Sequence, residues 1–172
     1  MRALSFLQPW LWAVVTKAKP VENRKWMPWP EMMPTPVTVH APARRGPLFA
    51  LQASAGWDKE GEAFVAGKMD VKPEASRRKS ILGVARIRGY IHLRDDGTPI
   101  GWNGDMTRDE ALAFAHNEWA FGPYVWVLSD VLSFGDDYIK DVAGALGFWN
   151  LPAKVEEQVK KLLVENGVEV KP

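Results

Sequence analysis

Residues 17–24 read Lys-Ala-Lys-Pro-Val-Glu-Asn-Arg, and the reading of the whole chain turns on them. Pro20 lacks a backbone N–H and biases the residue before it away from helical geometry, so a helix arriving from the N-terminal side stops here. Val21-Glu22-Asn23-Arg24 then runs on as extended chain. Side chains alternate along such a segment, which puts Glu22 and Arg24 on one side, and Lys19 approaches them from the helix end. An ammonium, a carboxylate and a guanidinium are gathered in a very short span.

Outward from this stretch, Leu4-Ser5-Phe6 reads as a short strand. Gln8-Pro9-Trp10 opens a helix over about 9–17, with Pro9 tolerated because a first-turn N–H has no intrahelical acceptor. Residues 26–36 are dense in tryptophan, proline and methionine and read as an irregular surface loop. Thr35-Pro36-Val37-Thr38-Val39-His40 reads as a strand, and 42–46 as a turn bearing Arg44 and Arg45. Short helical pieces are expected near 48–53 and 59–66. Residues 68–80 are polar, with Arg77-Arg78-Lys79 their densest positive run.

The longest strand expected covers 81–93. Ile81, Gly83, Ala85, Ile87, Gly89 and Ile91 alternate there with Leu82, Val84, Arg86, Arg88, Tyr90 and His92, so Arg86 and Arg88 share a face. Asp95-Asp96-Gly97-Thr98 is a turn. Thr107 with Glu110 forms a capping-box pattern that starts a helix over about 108–116. Residues 124–128 read as a strand, and the segment through Phe148 and Trp149 supplies another. The tail, 152–165, is the clearest helix: Val155, Val159, Leu162 and Leu163 share one face, Glu156 pairs with Lys160 and Glu157 with Lys161, and Gly167 ends it.

Composition bounds the function. The 172 residues fit one domain, with 47% hydrophobic and 25% charged residues, ordinary globular values. No cysteine is present, which removes disulfides, thiol nucleophiles and cysteine-type metal sites together. His40, His92 and His116 lie far apart without ligand spacing, so neither a metal nor a cofactor is expected. The N-terminal apolar stretch imitates a secretory signal, but Gln8 and Pro9 interrupt it and Thr16-Lys17-Ala18-Lys19 stands where a cleavage site would lie. No apolar run approaches the ~20 residues needed to cross a bilayer. A cytoplasmic protein without a membrane partner is expected. The net charge of +1 means that any affinity for nucleic acid must come from a local basic patch.

Several stretches together resemble the ASCH family, the activating-signal-cointegrator homology domain of the PUA-like group of base-binding barrels. Leu4-Ser5-Phe6-Leu7-Gln8-Pro9-Trp10 is similar to the family's opening strand and helix start. Residues 17–24 match its pattern Gly-x-Lys-x-x-Glu-x-Arg except that Lys17 stands at the glycine. Val39-His40-Ala41, Gly83-Val84-Ala85, Tyr124-Val125-Trp126-Val127-Leu128 and Gly144-Ala145-Leu146-Gly147-Phe148-Trp149 follow in order. The resemblance spans about 4–152. It implies an α+β fold, a partly closed β-barrel of about five or six strands with flanking helices, as a single domain over 1–172 ending in the 152–165 helix.

It also implies a cleft for a nucleic-acid base or nucleotide. Lys19, Glu22, Asn23 and Arg24 supply donors for phosphate or base carbonyls and an acceptor for an exocyclic amine, and Trp26 and Trp119 are candidate stacking faces. Arg44, Arg45, Arg77, Arg78 and Lys79 are candidate phosphate contacts. The expected function is a module for RNA, single-stranded nucleic acid or a modified base. Two alternatives stand beside it. One is a small hydrolase, an amidohydrolase on acylated nucleosides or a ribonuclease, using Lys19 and Glu22; the family's hydrolases carry threonine where this chain has Glu22. The other is a protein-interaction domain docking a partner through the 26–36 loop. Glu22 and Arg24 as a purely structural ion pair is the plainest account of the same residues, and the sequence leaves open whether the chain is an enzyme.

Overall fold

The N-terminal segment folds as Arg2–Gln8, strand β1, followed by helix α1, Trp10–Val15. Gln8 joins them: fully buried, it accepts from the Trp12 N–H at 3.0 Å, one of the first-turn donors a helix leaves unsatisfied, and donates to the Arg77 carbonyl at 3.0 Å. The computed structural model describes residues 1–35 and 45–169. The remaining elements are β2 (Val21–Arg24), β3 (Phe49–Trp57), α2 (Lys59–Ala66), β4 (Ser80–Leu93), β5 (Pro99–Gly104), α3 (Arg108–Ala115), β6 (Tyr124–Ser133), β7 (Phe148–Asn150) and α4 (Ala153–Glu165). Among the described residues no helix is long and apolar enough to cross a membrane.

The fold is mixed α+β, as expected, but the barrel of five or six strands is corrected. Seven strands form one hydrogen-bonded sheet in the order β2-β6-β4-β3-β1-β7, with β5 paired to β4, and among the described residues the path ends at β2 and β7 without closing. The extra strands come from residues 49–57, expected to be helical near 48–53, and from 99–104, for which no strand was expected. Leu48-Phe49-Ala50-Leu51-Gln52-Ala53 lacks alternation because β3 is buried on both faces, the environment of a parallel strand. It lies parallel to β1 in the register Ala3↔Ala50 and Leu4↔Leu51. The strand expected over 35–40 lies largely outside the described residues.

Cα packing divides the chain into two units. The first comprises Met1–Ala18, Leu48–Val84 and Leu132–Pro172, the second Lys19–Pro47 and Ala85–Val131. In the first, Ala3, Ala50, Ile81, Val84, Phe134, Val142, Val159 and Leu163 belong to one buried cluster. α4 joins it through Val159 and Leu163, and Glu156 ties the same helix to the N-terminal ammonium and, at 2.7 Å, to Lys160. Lys161 reaches Glu165 at 3.7 Å rather than the expected Glu157. Asp58 caps α2 by accepting from the Gly61 N–H and also accepts from the Trp10 indole at 2.7 Å; a Cβ on Gly61 would lie 2.5 Å from that indole.

In the second unit β2 pairs antiparallel with β6, setting Glu22 opposite Trp126 and Arg24 opposite Tyr124. β4 and β5 form an antiparallel pair joined through the expected turn, where Gly97 takes φ +81°. The capping box of α3 is complete, Thr107 accepting from Glu110 N and Glu110 from Thr107 N.

Lys17, which replaces the glycine of the resembled pattern, adopts φ 63° on the exposed side of the first unit, the left-handed conformation that costs an L-residue about 1–2 kcal/mol. Lys17→Gly should therefore stabilise the protein by about 0.5–1 kcal/mol after the extra chain entropy of glycine is subtracted, seen as a higher urea midpoint at unchanged slope. A lower midpoint would show that the side chain contributes more than the strained backbone costs.

Candidate functional site

α1 ends at Val15, short of the stop expected at Pro20, and β2 starts directly after Pro20 with Glu22 facing inward, its carboxylate bracketed by two cations. Lys19 Nζ donates to Glu22 Oε2 at 2.7 Å and to the Val21 carbonyl at 2.7 Å; Arg24 Nε lies 2.9 Å from Glu22 Oε1. The three charges expected to converge do so within the second unit. Their exposure differs sharply: the side chains of Lys19, Glu22 and Arg24 are 1%, 9% and 21% accessible. Lys19 is therefore sealed, and only Arg24 has an open edge. Burial pushes the Lys19 ammonium below the usual lysine range; the charge and hydrogen bond of Glu22 oppose that shift, and the Arg24 charge adds to it.

The other sequence-predicted residues divide. Trp26 is half-buried, packs edge-on to Trp126 with centroids 4.6 Å apart, and accepts the Trp126 indole N–H on its carbonyl at 3.1 Å. Arg24 stands 6.0 Å from the Trp126 ring centroid. Trp119 is buried to 3% exposure, so it offers no open stacking face and that expectation is corrected. Its backbone explains the burial: the carbonyl accepts from Asn23 Nδ2 at 2.9 Å, and the N–H donates to Asn117 at 3.0 Å. Asn23 also accepts from the Phe121 N–H, so its amide clamps β2 to the 117–121 turn.

Arg44 lies outside the described residues. Arg45, 78% accessible, reaches Asp130 at 3.4 Å. Arg77, Arg78 and Lys79 belong to the first unit. Arg77 is committed to the Gly135 carbonyl at 2.5 Å, Asp136 at 2.6 Å and the Tyr138 ring at 4.2 Å; Arg78 lies over Trp57. Lys79 is exposed at φ 48°.

Sequence reasoning did not assign Trp29, Tyr90 and Asn103. With Trp26, Met27 and Met33 they line a cavity of about 730 Å³ in the second unit. Tyr90 is set in place from both sides, its hydroxyl 3.3 Å from Met27 Sδ and its ring edge-on to Tyr124 at 6.1 Å. Across the β4–β5 pair Tyr90 faces Asn103 directly. The signal was present in the alternation of β4, whose even-numbered residues from Arg86 to His92 are half-exposed while their odd-numbered neighbours are buried. That the 26–34 segment would supply the facing wall had no local signature.

The sequence matches no family model and no curated protein. Among solved structures the fold is similar to that of ASCH from Zymomonas mobilis, at 13% identity, covering 94% of each chain with a TM-score of 0.45. Two crystal structures of single-substitution variants of that protein are similar at 14% identity (95% of this chain, 94% of that chain, TM-score 0.44) and 13% identity (95% and 96%, TM-score 0.43). The likeness is one of fold. What the site does is argued from its own residues.

Removing Glu22 leaves a sealed ammonium without its carboxylate, so Glu22→Ala should destabilise the protein by about 3–5 kcal/mol in urea unfolding. Lys19→Met, which keeps the Glu22–Arg24 pair and fills the space with an apolar chain, should cost much less. The depressed Lys19 has a pH signature: between its folded value and the ordinary lysine range the unfolded chain binds more protons, so stability rises with pH across that window. The gap between wild type and Lys19→Met should shift in favour of the wild type from about pH 7 to about pH 10. A pH-independent gap would remove the assignment of a depressed, buried ammonium.

Proposed function

We propose that this chain is a nucleic-acid-binding module that holds an unpaired or modified base of RNA, or of another single-stranded nucleic acid, in the cavity walled by Trp26, Trp29 and Tyr90. The observation that carries the reading is the chemistry of that cavity. Its size falls within the ~300–1,000 Å³ of ordinary ligand sites. Aromatic faces stack on any base, worth about 1–3 kcal/mol each, and the Asn103 amide offers one donor face and one acceptor to a base edge.

The charged cluster serves this site from behind. Glu22 holds Arg24 beside Trp126, and Trp126 abuts Trp26, so Lys19 and Glu22 are positioning residues in this reading and Arg24 is the member with an edge for ligand. We take residues 1–172 as one functional domain acting in the cytoplasm, where such ligands are met. A second reading, hydrolysis of an acylated nucleoside or of RNA through Lys19 and Glu22, draws on the lowered Lys19 ammonium, which is what a general base requires. Against it stands the sealing of Nζ beneath its two partners. A peptide seated by the 26–36 loop is the competing occupant of the cavity.

Titration with single-stranded and duplex RNA and DNA, followed by tryptophan fluorescence at low salt, tests the proposal. Single strands should quench and bind, and Trp29→Ala should weaken them about 5- to 150-fold, the loss of one stacking face. An unchanged affinity in Trp29→Ala, or no single-strand binding by the wild type, would remove the base from this cavity. Mass spectrometry of the incubated RNA and of acylated nucleosides reads the hydrolase alternative at once; turnover lost in Lys19→Met would favour it.

A further inference from the structure

We infer that the second unit also carries a phosphate seat, formed by Arg45, Arg86 and Arg88 beside the aromatic cavity, so that the ligand is a phosphodiester-linked nucleotide rather than a free base. This rests on the base-binding reading above and adds to it a site, a charge requirement and a direction along β4.

Arg45, Arg86, Arg88, Asp105 and Asp130 line a separate cavity of about 260 Å³. That is below the ~300 Å³ at which pockets for whole ligands begin, and it suits a tetrahedral anion. Arg86 directs Nε to Asp130 Oδ2 at 3.2 Å and Nη1 to the Gly46 carbonyl. Arg88 directs Nε to the Asp105 carbonyl at 2.7 Å and Nη2 to Glu110 Oε1 at 2.6 Å. A guanidinium carries five N–H donors in a planar fork. These contacts fix both forks and leave Nη2 of Arg86 and Nη1 of Arg88 with no protein acceptor among the described residues. Oriented guanidinium groups that are still partly open to solvent, 24% accessible at Arg86 and 31% at Arg88, match the oxygens of a phosphate.

Asp130 is the pivot of the seat. It adopts φ 50°, a left-handed conformation uncommon outside glycine, and strain of this kind gathers at ligand sites. In that conformation one carboxylate oxygen holds Arg86 and the other reaches Arg45 at 3.4 Å. The Arg45 contact is the longest in the seat and the side chain is the most exposed, so Arg45 is the arm that transfers from Asp130 to an arriving phosphate. The acidic neighbours keep the arginines oriented, and the attraction for an anion comes from the three guanidinium groups that share the cavity.

The position of the seat sets the ligand. Arg86, Arg88 and Tyr90 follow one another on the half-exposed face of β4, at about 7 Å for each pair of residues. Arg88 lines the guanidinium cavity, Tyr90 lines the aromatic cavity, and Pro34 is a wall of both. A base between Trp29 and Tyr90 thus has a phosphate position one nucleotide length along the strand.

The test compares a short single-stranded oligonucleotide with the same sequence carrying neutral methylphosphonate linkages, using the full chain, Arg45→Gln and Arg86→Gln. Wild type should prefer the phosphodiester at least ~10-fold at low salt, and its affinity should fall with added salt. Arg45→Gln should flatten the log–log salt slope by about 0.7, the value for one phosphate contact to a single strand, and narrow the preference. Arg45 is exposed and lightly held, so this variant decides the matter should Arg86→Gln fail to fold. Equal binding of the two oligonucleotides by the wild type, with Trp29→Ala still weakening both, would overturn the phosphate seat and leave the base reading intact. Binding of neither would sink both. A salt slope unchanged in Arg45→Gln would also overturn the seat.

Discussion

The carboxylate of Glu22, held between the Lys19 ammonium and the Arg24 guanidinium, is the constraint on which the second unit depends. Two of the three charges are almost wholly removed from water, which is costly unless every partner is in place. Here the partners arrive in one short stretch of chain, because β2 begins directly after Pro20 and presents alternate residues to one side. The network therefore needs no long-range accident to assemble. What it does need is the pairing of β2 with β6, which sets Glu22 opposite Trp126 and gives the buried charges an aromatic neighbour. From that pairing the rest follows in sequence: Trp126 donates to the Trp26 carbonyl, and Trp26 becomes a wall of the aromatic cavity.

A second constraint is the way β4 changes character along its length. Its first residues, 80–84, are buried on both faces, whereas from Arg86 onward only every second residue is. A strand that is sealed and then half-open is forced to display Arg86, Arg88, Tyr90 and His92 in a row, with a rigid backbone beneath them. Rigid display keeps the entropic cost of ordering a recognition surface small. Two arginines followed by two aromatic rings is also a polarised row, charged at one end and aromatic at the other, where His92 stacks on Tyr124 at 4.6 Å.

Much of this was legible in the chain because its causes are local. The alternation of β4, the Thr107–Glu110 cap and the apolar stripe of α4 each report a constraint felt within a few residues, whereas α1 ends at Val15, ahead of the stop expected at Pro20, with Lys17 turning the chain at φ 63°. The convergence of Lys19, Glu22 and Arg24 was legible for the same reason. β3 was not, because Phe49-Ala50-Leu51-Gln52-Ala53 has a composition that suits a helix, and only burial between β1 and β4 makes it a strand. Burial of Trp119 was equally hidden: a tryptophan after a polar turn looks available for stacking until the Asn23 amide, 96 positions away, is seen to pull that turn against β2. The aromatic cavity lies at the same limit. Tyr90 could be assigned to an open face, but its opposite wall comes from a loop whose path no periodicity describes.

The division of labour among the charged residues follows from their exposure. A sealed ammonium is a poor ligand and a good strut, because any substrate atom must first displace hydrogen bonds of 2.7 Å that hold the local chain together. A guanidinium fixed by two contacts but still partly open to solvent is the opposite case: its orientation is already settled, and its open edge can be approached without breaking the contacts that hold it. The chain contains both kinds in one unit, with Lys19 as the first and Arg86 and Arg88 as the second. Their different places in the packing separate the cation that is sealed into the wall from those held at its open surface.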